Sequence, residues 1–173
     1  MKNKILLIGL VCVAPLVFGT LAYYFRWDVG APSNYGELLE PKELFGAPFV
    51  PRLRGKWVMV AFDAAACDAW CEKKLYYMRQ LWRAQGKDMD RVVRLWVVTE
   101  GGAPRAELVQ AFDGTQIFHP NRAFLRRFPG NWVDYIYLVD PQGNLMMRWP
   151  RDADPSRMLK DLQRLMRVAP RTA

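Results

Sequence analysis

A chain of 173 residues with 25 Lys and Arg against 17 Asp and Glu, net charge +8, holds one domain with room for an appendage. Half of it is apolar (51%) and 13% is aromatic, enough for a packed core, which excludes wholesale disorder. The positive charge comes with no nucleic-acid motif, and Arg122, Arg126, Arg127, Arg148, Arg151 and Arg157 are scattered, so no nucleic-acid partner is expected; an anionic membrane surface or an acidic partner is the better use of it.

Ile5 to Phe25 is a run of 21 residues without a charged side chain, the length that crosses a bilayer as one helix. Lys2 and Lys4 precede it, while Arg26 and Asp28 follow and cancel, which leaves the N-terminus in the cytoplasm and sends the rest across. Tyr23, Tyr24 and Trp27 stand where an interfacial aromatic belt belongs, and Pro15 is tolerable in a membrane helix. A cleaved signal peptide has a shorter apolar core and an A-x-A-like site, which Gly19-Thr20-Leu21-Ala22 imitates poorly; a retained anchor over 1–27 is expected. Cys12 is then a thiol within the span.

The stretch 28–54 carries Gly30, Pro32, Gly36, Pro41, Gly46, Pro48 and Pro51, and is expected to be a linker and an irregular extension, with at most a weak strand over Pro48–Leu53. The domain proper is 55–173. Trp57 to Phe62 is an apolar run of strand length; Asp63 and three alanines lead to Cys67 and Cys71; beyond them Leu75, Met78, Leu81 and Trp82 recur at helical spacing. That is a buried strand turning into an amphipathic helix ending near Gly86, with two thiols at the junction. Val92 to Thr99 is a second, nearly continuous apolar strand, so strand, helix and strand form a right-handed crossover. After Gly101-Gly102-Ala103-Pro104 comes a short helix with Leu108, Val109 and Phe112; the glycines have no phosphate-loop spacing. His119, the only histidine, precedes a short helix capped by Asn121 and ended by Pro129-Gly130. Tyr135 to Asp140 and Leu145 to Trp149 read as a hairpin around Pro141–Asn144, and Met158, Leu159, Leu162, Leu165 and Met166 stripe a closing helix.

The first N–H groups of a helix lack intrahelical partners and its dipole is positive there, so a thiol at that end has its thiolate stabilised. Four-residue spacing puts Cys67 and Cys71 about one turn apart, close enough for a disulfide or for a shared soft metal ion; two small core residues is the plainer alternative. Trp70 between them walls the site or simply packs.

A β-α-β half, a β-hairpin and a closing helix, with paired cysteines where the first strand meets its helix, resemble the thioredoxin fold: an α/β domain with a central mixed sheet flanked by helices, here behind one N-terminal transmembrane helix. Thioredoxins use C-x-x-C; the C-x-x-x-C of this chain resembles the Sco/SenC family, membrane-anchored copper and thiol proteins that help assemble cytochrome c oxidase. The resemblance covers roughly Gly55 to Val168 and includes Val97-Val98-Thr99, the helix after Pro104 and Tyr137-Leu138-Val139-Asp140-Pro141-Gln142-Gly143. It implies a bacterial inner-membrane protein with a periplasmic domain, an oxidase subunit or assembly factor as partner, and Cys67 and Cys71 as redox residues or copper ligands. The departures are specific. Asp68 and Glu72 stand where the family has proline after each cysteine, and Trp132 stands where the family has its third copper ligand, a histidine. His119 reaches the thiols only if its loop folds over them, and no cis-proline opposes them, Pro129 being too far back. Two thiolates suit copper(I) and not copper(II), whereas a dithiol couple needs no histidine. The residues therefore point first to thiol–disulfide chemistry, with Cys67 attacking and Cys71 resolving, and then to a copper(I) metallochaperone or to a non-catalytic assembly scaffold with a structural disulfide.

Overall fold

The computed structural model describes residues 2–25, 34–44 and 53–168, and the chain divides into two units, Met1–Ser33 and Asn34–Ala173. In the first, helix α1 runs Lys2–Tyr24 with Pro15 inside it. Among the described residues no helix is long and apolar enough to cross a membrane, so the span expected over 1–27 is not shown; Trp27 lies outside the described residues.

The second unit is a six-stranded mixed sheet with strands β1 (Glu37–Glu43), β2 (Trp57–Asp63), β3 (Val92–Val98), β4 (Thr115–Phe118), β5 (Tyr135–Val139) and β6 (Asn144–Pro150), ordered β1-β6-β5-β2-β3-β4. Helices α2 (Ala69–Arg83), α3 (Ala106–Ala111), α4 (Arg122–Leu125) and α5 (Pro155–Val168) connect and cover it. Every residue of β2 is buried, as its unbroken apolar run requires of a central strand covered on both faces. β2 pairs in parallel with β3, Trp57 opposite Val92 through Asp63 opposite Val98, and antiparallel with β5, Val58 opposite Val139. The β5–β6 turn is locked locally: Asn144 N–H donates to Asp140 Oδ1 at 2.8 Å, the Asx geometry that aspartate brings to turns.

Alternation along β2 sends Val58, Val60 and Phe62 to one face and Trp57, Met59 and Ala61 to the other. On the first face Phe62 meets Phe128 edge-on at 4.7 Å and Tyr137 at 5.7 Å. On the second, Met78 and Leu81 of α2 and Met158, Leu162 and Met166 of α5 pack over the sheet with Trp149. A third, smaller cluster surrounds the cysteines: Leu75, Trp96, Val98, Leu108 and Phe112.

Two strands differ from expectation. Within 28–54, anticipated as irregular, Glu37–Glu43 is a strand paired with β6, its register shifting between Leu38 and Lys42. Pro41 falls in that shift, and β1 is an edge strand, where a residue without an N–H can be placed. The weak strand at 48–53 lies outside the described residues except for Leu53. β4 pairs in parallel with β3 at the opposite edge, in a stretch that carried no strand signal of its own.

α5 holds an unanticipated anchor. Asp161, 3% exposed, accepts hydrogen bonds from Gly36 N–H (2.7 Å), Tyr35 N–H (3.0 Å) and the Trp149 indole (3.0 Å). The segment entering β1 is thereby clamped to β6 and α5. A Cβ at Gly36 would stand 2.6 Å from Trp149 Nε1, so only glycine fits there.

Candidate functional site

The site forms where β2 ends. Asp68 is the N-cap of α2: its backbone is extended and its Oδ1 accepts from Cys71 N–H at 2.9 Å, filling one of the orphan donors of the first turn. Cys71 is therefore the third residue of the helix, and Cys67 precedes the cap. Cys67 sits in the left-handed region at φ 47°. A non-glycine residue held there costs about 1–3 kcal/mol, and such positions cluster at functional sites. The two cysteines form a disulfide, with Cα atoms 5.1 Å apart, within the range a bridge spans without moving the backbone.

The bridge is covered. Cys67 is 4% exposed and Cys71 1%, packed among Leu75, Trp96, Val98, Leu108 and Phe112. Arg105, the residue before α3, reaches across the turn: its Nη2 lies 2.9 Å from Glu72 Oε1 and 3.4 Å from the Cys67 carbonyl oxygen. Trp70 is half-exposed, with Lys73 Nζ 4.6 Å and Arg151 Cζ 4.7 Å from its ring. It borders a cleft of about 340 Å³ that Asp134, Tyr135 and Pro150 also line.

Beneath the turn lies a buried ion pair that sequence reasoning missed. Lys74 Nζ is 2.5 Å from Asp63 Oδ2 and also donates to the carbonyls of Phe62 (2.9 Å) and Val133 (2.6 Å). One ammonium so ties the end of β2, α2 and the turn before β5 together. Burial pushes the Asp63 carboxyl up and the Lys74 ammonium down, and each partner's charge pulls the other back. The signal was present: Lys74 stands three residues after Cys71 and four before Met78, on the inward stripe of α2 rather than between apolar positions.

The remaining sequence candidates fall elsewhere. His119 is exposed one residue beyond β4, and Trp132 packs 6.3 Å from Phe62 in a turn before β5. Among the described residues no three His, Cys, Asp or Glu side chains come together to hold a metal ion. With its sulfurs joined and no third metal-binding side chain grouped with them among the described residues, the site does not fit a three-ligand copper centre. Cys12 is exposed on α1.

A mixed sheet flanked by helices, with a disulfide at the turn from its central strand into a helix, defines a thioredoxin-like protein. The chain belongs to the family described as transmembrane-like, thioredoxin-like, C-terminal domain, which matches residues 57–169. No curated protein matches the sequence. In fold the chain is similar to copper-bound yeast Sco1 (17% identity, 82% of this chain and 97% of that one covered, TM-score 0.59). It is similar also to apo Sco1 of Thermus thermophilus (19%, 79% and 99%, TM-score 0.58). BsSco, described as a member of the Sco family of cytochrome c oxidase assembly proteins and as having a disulfide switch, aligns at 14% identity over 82% of this chain and 99% of its own, TM-score 0.52. The expected resemblance to Sco/SenC proteins thus exists at the level of fold.

Proposed function

We propose that this protein is a membrane-anchored thiol–disulfide protein that serves the assembly of a respiratory cytochrome c oxidase from the periplasmic face of a bacterial inner membrane. The observation that carries the reading is the Cys67–Cys71 bridge at the N-terminus of α2, with Cys67 in strained backbone outside the helix and Cys71 in its first turn. A partner thiolate attacks Cys67 Sγ, the Cys67–Cys71 bond breaks, and its electron pair leaves on Cys71 Sγ. The first-turn position stabilises that leaving thiolate, and the Asp68 carboxylate opposes it. The partner's second thiolate then attacks its own sulfur in the mixed disulfide and releases Cys67. The partner gains a disulfide, the domain gains a dithiol, and the two protons lost by the partner's thiols end on Cys67 and Cys71. Run backwards, the same steps keep a partner's paired cysteines reduced, as the copper-binding cysteines of an oxidase subunit need. The partner's potential sets the direction.

The anchor rests on the uncharged run Ile5–Phe25, whose length in residues suits one crossing. The flanking lysines set the N-terminus in the cytoplasm.

Burial of both sulfurs favours a second reading, a scaffold in which the bridge is structural. Copper(I) carriage by the reduced pair is the weaker alternative, because two thiolates act there without a third ligand. The test is the dithiol potential of the full chain in detergent micelles, read by quenched alkylation in glutathione buffers. A value above about −300 mV supports exchange, and one below it marks a structural bridge. Anaerobic titration of the reduced chain with copper(I) against a competitor adds the third arm: tight one-to-one binding lost in Cys71→Ser would replace exchange by carriage.

A further inference from the structure

Exchange needs a sulfur that an incoming thiolate can reach, and here the cover is as well defined as the bridge. Leu108 and Phe112, on and just after α3, pack in the same cluster as both cysteines. The loop leading to α3 is held at its start, where Thr99 N–H donates to the Asp63 carbonyl at 2.9 Å. Among the described residues, 100–104 make no backbone–backbone hydrogen bond. Gly102 has φ +133°, a conformation that suits glycine alone, and an added Cβ would stand 3.6 Å from the Ala65 methyl. Gly101, before it, is exposed with open space around its Cα. The loop's far end is fixed by Arg105 on Glu72 and on the Cys67 carbonyl, while the other end of α3 is held to α2 by Arg79, whose Nη1 donates to the Ala111 carbonyl.

We infer that the 100–105 loop and α3 form a cover over the Cys67–Cys71 bridge, hinged at Gly101-Gly102 and latched by Arg105 to Glu72 and to the Cys67 carbonyl. The inference rests on the exchange reading for its purpose, but its mechanics are those of access alone. Arg105 is a positioning residue. It leaves the sulfurs' chemistry to the α2 N-terminus and controls how often an incoming thiolate meets Cys67. The latch is an exposed pair, with side chains 53% and 46% accessible, so it is weak and salt-sensitive, as a device that must open often requires. A cover that opens before either direction of exchange scales reduction and reoxidation alike and leaves the equilibrium potential where it was.

The test is the rate at which dithiothreitol reduces the bridge of the full chain in micelles, followed by alkylation of the freed thiols, with the reverse rate measured in oxidised glutathione. Arg105→Ala and Glu72→Ala should each raise both rates about two- to fivefold, the span set by the strength of an exposed pair. The double variant should be no faster than either single one. Molar salt should accelerate the wild type toward the variants and leave the variants unchanged, while Arg105→Lys, which keeps the charge, should stay near the wild-type rate. Unchanged rates, or a rise in one direction only with a shifted potential, would overturn the latch. A potential in the structural range sinks the exchange reading and leaves these rates, and so the latch, independently readable.

Discussion

Lys74 Nζ lies 2.5 Å from Asp63 Oδ2 in the interior, one helical turn past Cys71, where neither charge has solvent to fall back on. Two charges moved out of water together are held by each other and by the carbonyls of Phe62 and Val133, so the arrangement tolerates the loss of both far better than the loss of one.

Asp63→Leu should therefore destabilise the domain by about 3–5 kcal/mol, because it leaves a buried ammonium uncompensated, whereas Asp63→Leu combined with Lys74→Met should cost much less. Urea denaturation of the four members of the cycle measures it. Equal additive losses from the two single replacements would show that the pair does not act as one.

Asp161 is another buried acidic residue, and it accepts from neutral donors. Asp161→Ala leaves Tyr35 N–H, Gly36 N–H and the Trp149 indole without their acceptor, at about 1–3 kcal/mol for the unsatisfied groups. The loss should be local to β1. Hydrogen exchange in 35–43 should rise while that of β2 and β3 holds.

Burial and the neighbouring Arg148 act in opposite directions on Tyr137, and burial prevails, pushing its phenol up from 10.0 to about 12. The hydroxyl donates to the Pro129 carbonyl at 2.6 Å, a bond the phenolate cannot make. Because the folded value is the higher one, the contribution is complete below pH 10 and is lost as pH rises from 10 to about 12. Tyr137→Phe should cost about 1 kcal/mol at neutral pH and flatten the loss of stability in that alkaline window. Thermal midpoints taken between pH 8 and 12 test both.

The bridge closes a loop of only four residues' separation, so chain-entropy reasoning gives it roughly 2 kcal/mol of stabilisation. The dithiol form should stay folded, with a modestly lower thermal midpoint in reductant than in its absence. Unfolding on reduction would leave no room for a cycling redox couple and would assign the bridge to structure alone.

Much of the domain was legible because it is written in local period. The unbroken apolar runs at Trp57 and Val92, the three-and-four spacing after Cys71 and the Asp140–Asn144 turn each need only near neighbours to declare themselves. So does the placement of both cysteines at the strand–helix junction. By contrast, Glu37–Glu43 is mostly exposed and has no apolar alternation; it is a strand because the free edge of β6 supplies its hydrogen-bond partners. β4 is made by the edge of β3 in the same way.

The sequence by itself determined the uncharged N-terminal run, the order of the principal strands and helices, and the one-turn separation of the two sulfurs, since these depend on hydropathy and spacing along the chain. Only the tertiary structure decided that the sulfurs are joined and covered, that Lys74 meets Asp63, that Asp161 grips Tyr35 and Gly36, and that Arg105 closes over Cys67. Those relationships join residues brought together by the sheet pairing. Their energies depend on burial and on partner geometry, and neither has a signature in the local run of residue types.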